Sequence, residues 1–182
     1  FGTWMARTTA LGFDVKPHLE SGLIRIVHVD PAELSPGEFA AGVRDAVERE
    51  NAALVIIDSL NGYLQSVPEE KFLILHLHEL LTYLAQRGMT TIMNMAQHGL
   101  LGPAMVAPID ISYLADSVLL LRYFEAGGEV RQAISVIKKR SGKHERTIRE
   151  FQLDRGGIRL GKPLKDFHGV LTGVPNYVGR ED

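Results

Sequence analysis

Cysteine is absent from the 182 residues. That excludes a disulfide scaffold, a thiolate zinc site and a cysteine nucleophile, and it fits a reducing cytoplasm. Neither sign of charge is in excess: 20 Lys and Arg face 22 Asp and Glu, for a formal net charge of -2. A polyanion binder working through overall charge is therefore excluded, although a local patch is not. No apolar run approaches the ~20 residues that span a bilayer, so no membrane partner is expected. Compositional bias of the kind that marks disorder, collagen or coiled coil is lacking too, at 45% hydrophobic and 23% charged residues. The opening Phe1-Gly2-Thr3-Trp4 has neither an initiator Met nor a basic-then-apolar signal pattern, and reads as the middle of a longer protein. By length the chain is about one domain, 1–182, able to bury roughly 70% of its unfolded surface without a staple.

What is present is an ordered alternation of elements. FGTWMARTTALG reads as the last turns of a helix stopped at Gly12. Residues 23–29 are partly alternating and β-branched, which predicts a strand. Ser35-Pro36-Gly37-Glu38 announces a helix, with Ser35 as cap, Pro36 at the first position and Glu38 completing a capping box. Phe39, Val43 and Val47 would line its buried face. Residues 53–57 are continuously apolar before Asp58, the pattern of a parallel strand covered on both faces. A long amphipathic helix over 68–88 and a second buried strand over 89–96 follow. From Ser117 the pattern changes to an antiparallel meander over 117–124, 130–139, 147–153 and 158–160, turning at Gly127-Gly128 and Gly156-Gly157. The expected fold is α/β: a parallel sheet flanked by helices and extended by antiparallel strands at its C-terminal side.

Two places carry chemistry. Asp58 ends an apolar strand, which puts a carboxylate at the edge where open α/β sheets bind ligands. In nucleotide hydrolases such an acid holds magnesium, usually through water, and Ser59 beside it can help orient that shell. The plainer alternative is that Asp58 caps the following loop. The second place is residues 138–146, where Lys138, Lys139, Arg140, Lys143 and Arg146 against Glu145 give five minus one, or +4 with His144 neutral. Cations gathered where a strand ends and a hairpin turns build an anion site, with Gly142 allowing close backbone approach. A solvated hairpin tip is the alternative, and no aromatic residue interleaves to stack bases.

Other motifs fall away. Gly156 to Pro163 matches a phosphate loop except that Pro163 replaces the magnesium-reaching hydroxyl, and its context is a hairpin. His76 and His78 project about 200° apart on a helix and cannot share a metal. His76 with Glu79 reads as a surface pair. No G-x-S-x-G elbow supports a catalytic triad.

Taken in order, IIDSL, TTIMNMAQHG, IDISYLADSVLLLRYFE and AISVIKKRSGKHERTIREFQLDRGGIRL resemble the KaiC family of RecA-type ATPases, with KHERTIREF the most specific part. ARTTALGFDV and LIRIVHVDP resemble the family segment that follows the phosphate loop and catalytic glutamates. The resemblance implies a RecA-like core, a homo-oligomeric ring, usually hexameric, and ATP with Mg bound between neighbouring subunits. On that basis Asp58 matches the Walker B acid that supports magnesium, with Ser59 beside it. Asn94 and Gln97 fall in the sensor region facing the γ-phosphate. Lys138, Arg140 and His144 match residues reaching ATP from the adjacent subunit, in the manner of an arginine finger. Lys139, Gly142, Lys143 and Arg146 belong to the same nucleotide-binding hairpin. Leu11 stands where clock proteins of the family place an aromatic near the adenine.

Ser112 and Tyr113 take the place of a Ser-Thr pair that is autophosphorylated in the clock proteins. Ser112 is thus the phosphorylation candidate, and Tyr113 departs from the two-site pattern. The Walker A loop and the glutamate pair are not among the 182 residues, so hydrolysis is expected of a longer parent: a cytoplasmic signalling ATPase whose partners are itself and signalling proteins. Two other functions stand beside this one. A RecA/RadA-type DNA-binding relative is the first, although residues 97–109 hold no Lys or Arg for phosphate neutralisation, so nucleic acid is not an expected partner. The second is a non-catalytic interaction module that retains the fold.

Overall fold

A computed structural model describes residues 1–30, 33–64, 70–97, 112–172 and 174–179. Its helices are α1 (Gly2–Ala10), α2 (Lys16–Glu20), α3 (Pro36–Glu50), α4 (Leu60–Leu64) and α5 (Glu70–Gln86). Its strands are β1 (Leu54–Asp58), β2 (Thr90–Asn94), β3 (Ser117–Ala126), β4 (Glu129–Lys139), β5 (Arg149–Asp154), β6 (Gly157–Pro163), β7 (Phe167–His168) and β8 (Asn176–Tyr177). The expected helix start at Pro68 and the loop beyond Gln97 lie outside the described residues. The chain divides into two compact units, one built on residues 29–97 and 112–115, the other on 1–28 and 116–179.

In the first unit, α3 starts as the capping box predicts. Glu38 N–H donates to Ser35 Oγ at 3.3 Å, and Ser35 N–H donates to Glu38 Oε2 at 2.9 Å. These contacts satisfy donors that a helix start otherwise leaves open. Val47 is buried as expected, while Phe39 and Val43 are half-buried and pack on the core. On α5, Leu73, Leu77, Leu80 and Leu84 recur at helical spacing and are all buried, each contributing roughly 1.5–3 kcal/mol by leaving water. They pack against Ile57, Val55 and Met93, the core-facing residues of β1 and β2.

Those two strands are parallel and in register from Leu54↔Thr90 to Asp58↔Asn94. Their other face differs from the expectation of cover on both sides. Leu54, Ile56 and Ile92 are exposed, because the helices of this unit pack against the odd-numbered positions of both strands.

The second unit is the meander, in strand order β3-β4-β5-β6. Gly127 and Gly128, at φ +62° and +75°, make the tight turn between β3 and β4 that residues with a Cβ rarely make. Strand β4 meets β5 at Ala133↔Glu150 and Ile134↔Arg149. Phe124, Ala133 and Val170 form its buried core, and Phe167 stacks edge-on against both Phe124 and Tyr177. Gly156 N–H donates to Leu11 O at 2.7 Å, tying the β5–β6 turn to the end of α1. The parallel pair and the meander each form their own ladder.

Residues 23–29 form no strand. A strand needs a partner for its main-chain groups, and here Ile24 N–H instead bonds back to His18 O, leaving Leu23, Ile26 and Val27 exposed.

Candidate functional site

Strand alternation sorts the parallel pair. Positions 55 and 57 of β1, with 91 and 93 of β2, face the core, so positions 54, 56, 58, 90, 92 and 94 share the open face. Register then sets Asp58 beside Asn94, both exposed at the carboxyl ends of their strands. A carboxylate and an amide arrive side by side at the edge where α/β sheets place ligands. Ser59 follows Asp58 directly, across a cis peptide bond. Gln97 is three residues beyond Asn94; its Oε1 is buried and has no hydrogen-bond partner among the described residues.

Sequence reasoning missed the residue that holds this edge together. Asn61, in the first turn of α4, donates from Nδ2 to Ala96 O at 2.9 Å and accepts from Ala96 N–H at Oδ1 at 2.8 Å. Its neighbours Leu60 and Tyr63 are buried against Ile57, so the amide is mounted on core. Burial pushes the Tyr63 phenol up to about 12, keeping it neutral in the cellular range.

The cationic hairpin belongs to the other unit. Lys138 is half-buried and Lys139 exposed at the end of β4, opposite Val118 and Ser117. Arg140 donates its main-chain N–H to Asp116 O at 2.7 Å, and its Nη1 lies 3.0 Å from Asp116 Oδ1. Asp116, which sequence reasoning also missed, thus anchors the root of the hairpin. Lys139 Nζ donates to Lys143 O at 3.4 Å, and Gly142 takes φ +76° between them. His144 is half-buried, and Lys143 and Arg146 are exposed. Thr147 donates its hydroxyl to Glu145, which holds that carboxyl below its ordinary value, with Arg149 contributing from 3.7 Å.

Ser112 begins a single 3-10 turn, Ser112–Leu114, and is exposed. Leu114 seats that turn on the first unit's core. Leu11 caps α1, with its carbonyl held by Gly156. The Gly156–Pro163 near-motif is a turn and β6, which removes it as a phosphate loop, and His76 sits 3.9 Å from Glu79 as the surface pair expected. A groove of about 360 Å³ between α3 and α5, lined by Ala40, Arg44, Glu48, His76 and Glu79, shares no residue with the strand edge.

No group of three His, Cys, Asp or Glu side chains that could hold a metal occurs among the described residues. Asp58 offers one exposed carboxylate at the strand edge, a donor compatible with a magnesium ion that keeps its waters and is otherwise held by substrate phosphates. The hairpin's five cations fit a polyphosphate. Among the described residues no helix is long and apolar enough to cross a membrane.

A family profile described as "ATPase: KaiC" matches residues 4–165. The chain belongs to the KaiC ATPase family. It is 30% identical over 174 residues to circadian clock protein KaiC3 of Synechocystis sp., covering 96% of this chain and 34% of that protein. It is 23% identical over 171 residues to the circadian clock oscillator protein KaiC of Acaryochloris marina, covering 94% of this chain and 33% of the relative. The chain thus spans about a third of the length of the curated relatives it matches. Among solved structures, the KaiC-like protein PH0186 from Pyrococcus horikoshii OT3 superposes with a TM-score of 0.70 at 23% identity, covering 87% of this chain and 69% of that one, and so shares its fold.

Proposed function

We propose that this chain is the C-terminal portion of one RecA-like domain in a ring-forming, ATP-hydrolysing signalling protein of the cytoplasm, hexameric by family analogy. The observation that carries the reading is the Asp58↔Asn94 pairing at the carboxyl end of the parallel strands. Magnesium, when bound with ATP, would neutralise charge on the transferring phosphoryl group. Asp58, with Ser59 beside it, would hold that ion, and Asn94 and Gln97 would face the γ-phosphate. Lys138, Arg140 and His144 reach the triphosphate of the neighbouring subunit, with Lys139, Gly142, Lys143 and Arg146 shaping the same hairpin, and Leu11 lies near the base. Arg140 exchanges its exposed Asp116 partner for phosphate at little cost, since surface ion pairs are worth about 0–1 kcal/mol. The exposed Ser112 hydroxyl is the acceptor of an autokinase step, with signalling proteins as readers.

Subunit mixing in the parent ring tests the reading. Asp58→Asn and Arg140→Ala should each abolish most turnover, a finger arginine being worth about 10³–10⁵ in rate in well-studied cases. Mixed in equal amounts, the two variants should recover about a quarter of the turnover, because one interface in four pairs an intact Asp58 with an intact Arg140 from its neighbour. Full turnover in either variant alone, or no recovery on mixing, refutes the shared site.

A further inference from the structure

We propose that Asn61 is a positioning residue that locks the loop after β2 to the acid-bearing loop after β1. An asparagine in the first turn of a helix ordinarily serves its own helix by hydrogen-bonding nearby main-chain groups. Asn61 does something else. Its side-chain amide pairs with both main-chain groups of Ala96, at 2.9 and 2.8 Å, across 35 residues of sequence. That is the hydrogen-bond pattern of one more rung of β-ladder, supplied by a side chain. The main-chain ladder ends at Asp58↔Asn94, and the Asn61–Ala96 rung continues it beyond both strands.

The rung is stiff because its mount is stiff. Leu60 and Tyr63, on either side of Asn61 in α4, are buried in the same core as Ile57 of β1. The segment leaving β2 is therefore indexed to the strand that carries Asp58. Gln97, next after Ala96, presents a buried side-chain oxygen with no partner among the described residues, an acceptor suited to orienting a water. Asn61 touches neither nucleotide nor metal in this scheme. It sets where Gln97 sits relative to Asp58, and a misplacement of about 1 Å at such a site costs up to about 10²-fold in rate. The inference rests on the ATPase reading above.

The test uses the assembled parent protein, with ATP turnover, nucleotide affinity and amide exchange measured together. Asn61→Ala should lower kcat by about ten-fold or more, leave ATP affinity within about two-fold, and expose the Ala96 amide to exchange while the β1 and β2 amides stay protected. Should Asn61→Ala fail to fold, Asn61→Asp carries the comparison. It keeps the acceptor toward Ala96 N–H but loses the donor toward Ala96 O, and should also lower kcat at unchanged affinity. A ring that turns over normally with the Ala96 amide exposed refutes the positioning role alone. Loss of affinity in step with kcat also refutes it, because that outcome reads as general damage. An unaltered ring that hydrolyses no ATP overturns the ATPase reading and this inference together.

Discussion

Strands β4 and β5, which flank the cationic hairpin, are joined by an ion pair whose removal can be sized. Arg131 Nε donates to Glu150 Oε1 at 2.8 Å and Nη2 to Oε2 at 2.5 Å, a two-pronged contact between β4 and β5. The side chains are 32% and 21% exposed, and the guanidinium lies 5.9 Å over the buried Phe124 ring. Fully exposed pairs contribute about 0.2–1 kcal/mol. Hydrogen bonds to charged groups contribute about 1.5–3 kcal/mol. Partial burial and two-pronged geometry place this pair between, with a coupling energy of about 1–2 kcal/mol. Arg131→Met retains the aliphatic contact with Phe124, Glu150→Gln retains shape, and the double variant closes the cycle. Urea unfolding followed by Trp4 fluorescence is the assay, since Trp4 is the only tryptophan and lies in the same unit as the meander. The coupling should survive about 1 M salt, where screening reaches ~3 Å and a solvent-borne pair would fade. A coupling below about 0.3 kcal/mol, or one lost in salt, refutes the argument that this pair holds β4 to β5.

Leu80→Ala should cost about 2–5 kcal/mol because Leu80 is fully buried between α5 and α3, whereas Leu75→Ala on the exposed side of α5 should cost about 0.5 kcal/mol or less; chemical denaturation compares them. Tyr63 should release its proton only near pH 12 by phenolate absorbance, since burial raises it. An unfolded tyrosine ionises near 10, so the stability Tyr63 contributes is complete below about pH 10 and declines between about 10 and 12, a part of the slope that Tyr63→Phe should remove. Ser35→Ala should return the Glu38 carboxyl toward its ordinary value in an NMR titration, because the Ser35 hydroxyl, and then its main-chain N–H, depress it. The stability from that pair is present above glutamate's ordinary pKa and disappears as pH falls through the lowered one.

Strand ends, helix starts and hairpin turns were legible because each is written in a few adjacent residues. Ser35 and Glu38 form their box, Gly127-Gly128 turn the meander, and Asp58 closes its strand, whereas the strand expected over 89–96 stops at Asn94. Residues 23–29 show the limit of such reading. Alternation and branching there match a strand, yet pairing is a property of two segments, and here Ile24 N–H bonds back to His18 O instead of joining a ladder. The short helix α4 was hidden for a related reason. Five residues carry too little periodicity to announce a helix, and what stabilises it is the burial of Leu60 and Tyr63 against Ile57.

The same distinction runs through the site. The sequence nominates Asp58 and Asn94 separately, but only the register from Leu54↔Thr90 onward makes them neighbours. A slip of one residue would turn Asn94 toward the core and leave Asp58 alone on the open face. That register is held along the strands by Val55 and Met93 packing into the helical core, and beyond their carboxyl ends by the Asn61 amide on Ala96. The basic run likewise suggests an anion site by composition, while the pairing of Arg140 with Asp116, which sets the hairpin's root, joins residues that flank the two ends of the β3–β4 segment. Local pattern names the chemical groups, and long-range contacts decide which of them can act on the same atom. A substitution at Asn61 or Asp116 should therefore disturb the chemistry while leaving every recognisable motif intact.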